Sequence, residues 1–351
     1  MPRYALLMAP GANRVYGRSA PALGRAELAV LNGFGLAGRL CDVGEERLGG
    51  VPYLTFATTG DLDDAATAVL SNVSGAFALF ERDGTDRLLP IDRSTLDRWD
   101  DDLITIPRYR GKTNEQFTKL LVNLALVVGH GADALRADGE RRERLLVVDP
   151  LCGRGTTLNQ AVMYGLDAVG IDNDGRDIDA YVSFLVTWLK NKRVKHHVEH
   201  QRLGRGSHGP GQRVTITMAA TKAELKGAGG QRVVVIADDT TRAVDHLGKS
   251  CADALVADLP YGVQHGSRVG AELSRRPAEL MHDALPVWRS LLRPGSAMAL
   301  SWNTRTLSRH ELLGALDGAG LEIVDCGDDA SFSHQVDRSI ARDVVVARRS
   351  P

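Results

Sequence analysis

Cysteine is scarce. The 351 residues hold four, Cys41, Cys152, Cys251 and Cys326, far apart and with no C-x-x-C pair. That argues against a disulfide framework and against a cysteine zinc site, so no structural metal is expected. No apolar run approaches the roughly 18 residues of a membrane span, and the apolar stretch at 4–10 is too short for a signal peptide and has no small-residue cleavage site. A soluble, cytoplasmic protein is the expectation. Charge of one sign is also lacking: 43 Lys and Arg face 44 Asp and Glu, a formal net charge of -1. Such a balance excludes a histone-like or polybasic coat, though not a local basic face. Lysine is rare, 8 against 35 arginines, as a GC-rich coding sequence produces, so arginine abundance alone supports no function. One stretch stands out. Within residues 190–213, Lys190, Lys192, Arg193, Lys195, Arg202, Arg205 and Arg213 face only Glu199, an excess of six charges accompanied by four histidines. It is the candidate footprint for a polyanion.

The length predicts two domains. Residues 1 to about 95 alternate short apolar runs (4–8, 40–43, 51–57, 76–80) with helical stretches (20–31, 62–70), a βαββαβ pattern that reads as a small ferredoxin-like α+β unit over 1–100. The segment 83–110 is charged and carries Pro90 and Pro107, which suits a linker with at most a short helix, and the boundary is placed at 101–113. Residues 115–128 form an amphipathic helix, with Phe117, Leu120, Leu121, Leu124 and Val128 on one face and Thr113 or Asn114 as its N-cap. From 114 to 351, apolar runs at 145–149, 168–172, 233–237, 254–258 and 297–301 alternate with helices at 156–164, 178–189, 277–292 and 309–319. Unbroken apolar strands of this kind belong in a parallel sheet covered on both faces. The last two strands, 321–326 and 343–347, lack room for a crossover helix, so the final one must run antiparallel. Together these predict a Rossmann-like, seven-stranded, mostly parallel sheet. Residues 204–230 read as a glycine-rich insertion with a possible strand at 214–218.

The sharpest motif is Asp149-Pro150-Leu151-Cys152-Gly153-Arg154-Gly155-Thr156-Thr157. A strand ends in an acid, a turn holds two glycines, and a helix opens at once, so backbone N–H groups can approach a ligand at the carboxyl edge of the sheet. An ordinary strand-to-helix turn is the competing reading, and the spacing is not the G-x-G-x-x-G of dinucleotide enzymes. Nineteen residues after Gly153 the next strand ends in Asp172-Asn173-Asp174, placing a carboxylate where a ribose diol would lie. The second motif, Asp258-Leu259-Pro260-Tyr261-Gly262, also ends a strand. Pro260 fixes an extended turn, so an acid, an exposed carbonyl and an aromatic ring project together, which suits a planar base with an exocyclic amine.

These two motifs resemble the first and fourth motifs of S-adenosylmethionine-dependent amino-methyltransferases. More narrowly the chain is similar to the tRNA guanine-N2-methyltransferases acting at position 10, relatives of the THUMP-containing enzymes. Gly111-Lys112-Thr113-Asn114 leading to Asn123-Leu124-Ala125, and the terminal Val336-Asp337-Arg338-Ser339-Ile340-Ala341-Arg342, add to that resemblance, which spans 107–347. It implies a class I methyltransferase fold, S-adenosyl-L-methionine as cofactor, and RNA, specifically tRNA, as partner. By the same resemblance Asp149, Gly153 and Gly155 hold the methionine part, Asp172 the ribose and Asp239 (or Asp238) the adenine amine, with Cys152, Thr156 and Asn173 also in contact with the cofactor. Thr113 closes over the cofactor, and Asp258, Leu259, Pro260 and Tyr261 carry the transfer. The chain has Leu259 where the family usually has a second proline. Asp258 follows Gly153 by about 105 residues, whereas many DNA amino-methyltransferases place the catalytic motif first. Methylation of DNA adenine N6 or cytosine N4, or of a small amine, is the alternative, and a non-catalytic RNA-binding module is a third reading.

Other signals have plainer readings. Gly111-Lys112-Thr113 lacks the upstream glycine of a phosphate-binding loop, that position being Ile106. His196, His197, Glu199 and His200 read as a solvated basic helix end rather than a metal site. Arg338 and Arg342 suit either a phosphate contact or a surface salt bridge.

Overall fold

The computed structural model describes residues 1–10, 14–84, 87–109, 111–136, 145–206, 209–227, 230–260, 277–327 and 331–351. The first elements are β1 (Arg3–Met8), α1 (Arg14–Phe34), β2 (Leu40–Leu48), β3 (Val51–Thr58), α2 (Asp64–Ser71), β4 (Ala76–Asp83) and β5 (Arg87–Ile91). They build an antiparallel sheet in the order β2-β3-β1-β4-β5. Tyr4, Leu6 and Met8, alternate residues of β1, are buried, as one covered sheet face requires. Strand β5 is a correction: it occupies part of the segment expected to be a linker. Pro90 argued against a strand there, but β5 lies at the sheet edge, where a missing ladder donor is tolerated.

The remaining elements are α3 (Asp102–Thr105), α4 (Glu115–His130), β6 (Leu146–Asp149), α5 (Thr156–Met163), β7 (Asp167–Asp172), α6 (Gly175–Asn191), β8 (Lys195–Gly206), β9 (Gly209–Ala219), α7 (Lys222–Lys226), β10 (Gln231–Ala237), α8 (Ala243–Leu247), β11 (Ala252–Asp258), α9 (Pro277–Leu291), β12 (Leu292–Asn303), α10 (Arg309–Gly318), β13 (Glu322–Ile323), β14 (His334–Gln335) and β15 (Ala341–Arg348). They form one mixed sheet, β13-β15-β12-β11-β6-β7-β10-β9-β8, with β14 paired to β15. Strands β10, β7, β6, β11 and β12 are parallel neighbours, and β15 runs antiparallel to β12. The strand order reverses on either side of β6, so the carboxyl ends of five strands face one crevice at the switch point of a Rossmann-like sheet.

Among the described residues this sheet has ten strands, not the expected seven. The surplus is the hairpin β8–β9, which extends the sheet beyond β10, and the two-residue β14. The histidines expected at a helix end therefore sit in β8. Consecutive strand residues face opposite ways, so His196 and His200 lie on one face and His197 and Glu199 on the other. Those four side chains do not converge.

A buried polar knot ties the two sheets' layers together. Glu27 of α1 is fully buried and accepts from the Ser74 backbone at 3.0 Å and from Asn123 Nδ2 at 2.7 Å. Asn123 of α4 also donates to the Asn72 carbonyl at 2.8 Å and accepts the Tyr164 hydroxyl at 2.7 Å. Burial pushes the Glu27 carboxyl up, the cost that its donors offset.

Candidate active site

The crevice is built from strand ends. Asp149 closes β6, Asp172 closes β7, Asp238 and Asp239 follow β10, and Asp258 closes β11. Four neighbouring parallel strands thus each deliver a carboxylate to one edge. Asp149 is 4% exposed, accepts from Leu151 N at 3.0 Å, and is pushed up to about 7, chiefly by burial, with Asp172 and Asp258 adding like-charge repulsion. Burial also raises Asp172. Its Oδ2 accepts the Gly153 amide at 2.8 Å and its Oδ1 the Asp174 amide at 2.9 Å, so the acid at the end of β7 holds the glycine turn on β6. Asn173 beside it is exposed.

The two glycines of that turn serve different ends. Both have positive φ, +47° at Gly153 and +76° at Gly155, which a side chain would strain. A Cβ on Gly153 would meet nothing within 4 Å, whereas one on Gly155 would fall 2.4 Å from the Tyr181 ring. Gly155 therefore makes room for a buried tyrosine of α6. Only Gly153 leaves open space. Cys152 is buried, with its thiol pushed up by desolvation, and it packs against Gly170, whose missing Cβ would lie 2.6 Å from its sulfur.

A strap before α4 crosses this edge. Tyr109 Oη bonds Thr156 Oγ1 at 2.8 Å, and the Arg154 guanidinium lies 5.1 Å from the Tyr109 ring centroid while pairing with Asp177 at 2.7 Å. Burial raises the Tyr109 phenol. Further along, Thr113 Oγ1 donates to Asp258 Oδ2 at 2.5 Å. Thr113 thus reaches the second motif, its hydroxyl engaged with the acid that opens that motif.

Asp258 is held from three sides. Besides Thr113, Ser301 Oγ donates to its Oδ1 at 2.6 Å and Arg342 Nη2 to its Oδ2 at 3.3 Å. Ser301 is the direct partner of Asp258 in the β11–β12 register. Leu259 N donates to the Ser301 carbonyl at 2.8 Å, the Leu259 side chain is buried, and Pro260 is exposed. Tyr261 and Gly262 lie outside the described residues. Arg342, for which the sequence left a phosphate contact and a surface salt bridge both open, is buried, with its side chain 6% exposed.

Of the two acids after β10, Asp238 is spent on structure, accepting from Arg242 at 2.9 Å and pairing with His246 at 2.7 Å. Asp239 Oδ1 accepts the Thr241 amide at 2.9 Å and caps its turn. Sequence reasoning missed Tyr109, Tyr181 and Ser301. A signal existed for Ser301, the first polar residue after the apolar run 297–300.

The basic stretch is partly consumed: Lys192 Nζ pairs with Asp100 and Asp102, each at 2.7 Å. Lys190, Arg193, Lys195 and Arg202 are exposed.

No protein-family model matches the chain, and no curated protein matches it in sequence. Among solved structures it is similar to TrmN from Thermus thermophilus, at 13% identity and a TM-score of 0.45, over 99% of this chain and 100% of that one. It is also similar to an rRNA methylase from Streptococcus thermophilus, at 11% identity and a TM-score of 0.34, over 59% and 88%. A TehB-like SAM-dependent methyltransferase from Corynebacterium glutamicum gives 16% identity and a TM-score of 0.34, over 59% and 80%.

Proposed function

We propose that this protein is a class I S-adenosylmethionine-dependent methyltransferase acting on an exocyclic amine of a nucleobase in RNA, namely guanine N2 in tRNA. The observation that carries the reading is the convergence of Asp149, Asp172, Asp239 and Asp258 at neighbouring strand ends around a glycine turn. The donor chemistry fits the cofactor. A pyrophosphate would meet like charges there, whereas a cation bearing a sugar diol and an amine meets acceptors. The buried guanidinium of Arg342 is already held by Asp258.

S-adenosylmethionine, when bound, supplies an electrophilic methyl group on a sulfonium. The chain's own residues do the rest. Asp149 and the open side of Gly153 would take the methionine part, Asp172 the ribose hydroxyls and Asp239 the adenine amine. The lone pair of a guanine N2 amine is delocalised into the ring, so the amine must be held in line and its developing charge offset. Asp258 Oδ atoms and the Leu259 carbonyl are the acceptors for that amine, and Tyr261 the stacking surface. The proton turns acidic once nitrogen is methylated and leaves through Asp258 or water. The βαββαβ unit at 1–100, ferredoxin-like in this reading, would help seat the RNA.

Incubating the purified protein with methyl-labelled S-adenosylmethionine and bulk tRNA, then analysing nucleosides by mass spectrometry, tests the reading. Label in N2-methylguanosine, lost in Asp258→Asn, is the expected result. Label confined to DNA adenine or cytosine would refute the RNA assignment, and absence of cofactor binding by calorimetry would refute the methyltransferase assignment.

A further inference from the structure

The arginine gripping Asp258 comes from the far end of the chain. Arg342 is the second residue of β15, and the backbone of Ala341 before it is pinned. Thr304 N bonds the Ala341 carbonyl at 2.7 Å, and Asn303 Oδ1 accepts the Ala341 amide at 3.1 Å. His334 of β14 and Asn303 of β12 are its register partners. From that fixed start the side chain runs inward, and its guanidinium carbon stands 4.6 Å from the Phe117 ring centroid. Phe117 is itself packed edge-on to Tyr16 of α1 at 6.5 Å and tilted against His334 at 5.2 Å. Burial pushes the His334 imidazole down.

We propose that Arg342 is a positioning residue for the transfer step, acting through Asp258. This rests on the reading of Asp258 given above. The physical case is geometric. A carboxylate at the end of a strand can rotate about two side-chain torsions, and three donors from three separate elements, Thr113 before α4, Ser301 on β12 and Arg342 on β15, leave it one orientation. Thr113 and Ser301 are neutral, and Arg342 is the charged member. Its planar guanidinium can lie on Phe117 while a nitrogen points at Asp258, an arrangement that a lysine ammonium cannot copy. Through Phe117 the same contact touches Tyr16, so the first sheet's long helix helps set the orientation of the reactive acid.

The test compares Arg342→Met and Arg342→Lys with the wild type in three measurements. Calorimetry reads S-adenosylmethionine affinity, hydrogen exchange reads the strap at 111–114, and single-turnover methylation of bulk tRNA reads the rate. Arg342→Met should leave cofactor affinity within about twofold, speed exchange in the strap while the central strands stay protected, and slow the rate by about 10²-fold, the scale of a small misplacement of a reacting group. Arg342→Lys should recover only part of that rate. In the double variant with Asp258→Asn, the rate should be no lower than in Asp258→Asn alone, since the two residues act as a unit. Additive losses, or an unchanged strap with a full rate, would overturn the proposal, as would parallel loss of cofactor binding and thermal stability in both single variants. If the wild type binds the cofactor but does not methylate tRNA, the RNA reading has failed and the exchange measurement still decides Arg342.

Discussion

Gly153 and Gly155 stand two residues apart in one turn, yet replacing them by alanine should damage the protein in different ways. Gly155→Ala places a methyl 2.4 Å from two carbons of the Tyr181 ring. Tyr181 is 1% exposed and cannot yield without disturbing the packing of α6. Overpacking of this kind costs about 1–3 kcal/mol, and holding a non-glycine residue at a φ of +76° adds about 1–2 kcal/mol. The sum, about 2–5 kcal/mol, is a large share of the stability of an ordinary domain. Gly153→Ala carries only the backbone term, because its Cβ points into open space. The expected outcome in urea unfolding is a marked drop in midpoint for Gly155→Ala and a shift of about 1–2 kcal/mol for Gly153→Ala. Calorimetry should show the reverse ranking per folded molecule, with S-adenosylmethionine affinity falling most in Gly153→Ala. A Gly155→Ala protein as stable as the wild type would refute the packing argument, and undiminished cofactor affinity in Gly153→Ala would remove the crevice from the cofactor assignment.

Four further outcomes are expected. Because Asp149 is raised to about 7 from its ordinary 3.8, a cationic ligand selects its ionised form, so S-adenosylmethionine affinity should rise about fivefold between pH 6 and pH 7 and level off above; a flat profile, identical in Asp149→Asn, would refute this. In the ligand-free protein the sign is opposite: the raised carboxyl contributes stability that is full below about pH 4 and lost as pH rises through about 7, which unfolding at a series of pH values reads directly. Asn123→Leu should cost about 3–5 kcal/mol in urea unfolding, because it leaves the buried Glu27 carboxyl and the Tyr164 hydroxyl without a partner they now have; a loss under about 1 kcal/mol would show the knot to be dispensable. Neutralising Lys190, Arg193, Lys195 and Arg202 should flatten the slope of log RNA affinity against log salt; an unchanged slope would make the hairpin a solvated edge.

Much was legible from local pattern. The all-apolar runs ending in Asp149, Asp172 and Asp258 are strands, because only a sheet covered on both faces buries every side chain in succession, and glycine at positive φ marks the turn after β6. Alternation and helical period also set the order of elements from 4 to 83 and from 145 to 172. What local pattern could not carry is pairing across distance. Pro90 read as a breaker although an edge strand tolerates it, and the histidines of β8 read as a helix end because their strand is held only by β9. The role of a glycine depends on its neighbour in space, which for Gly155 is Tyr181, 26 residues away in sequence. The buried ion pair of Arg342 was not legible because its partner is 84 residues distant, and only the folding of β15 between β12 and β14 brings a buried guanidinium onto Asp258. The sequence by itself determined which residue types end which strands, since that is a matter of local burial and backbone geometry. Which of those residues touch was decided by the tertiary structure, because contacts between strand ends depend on sheet order, and sheet order is set by long-range packing.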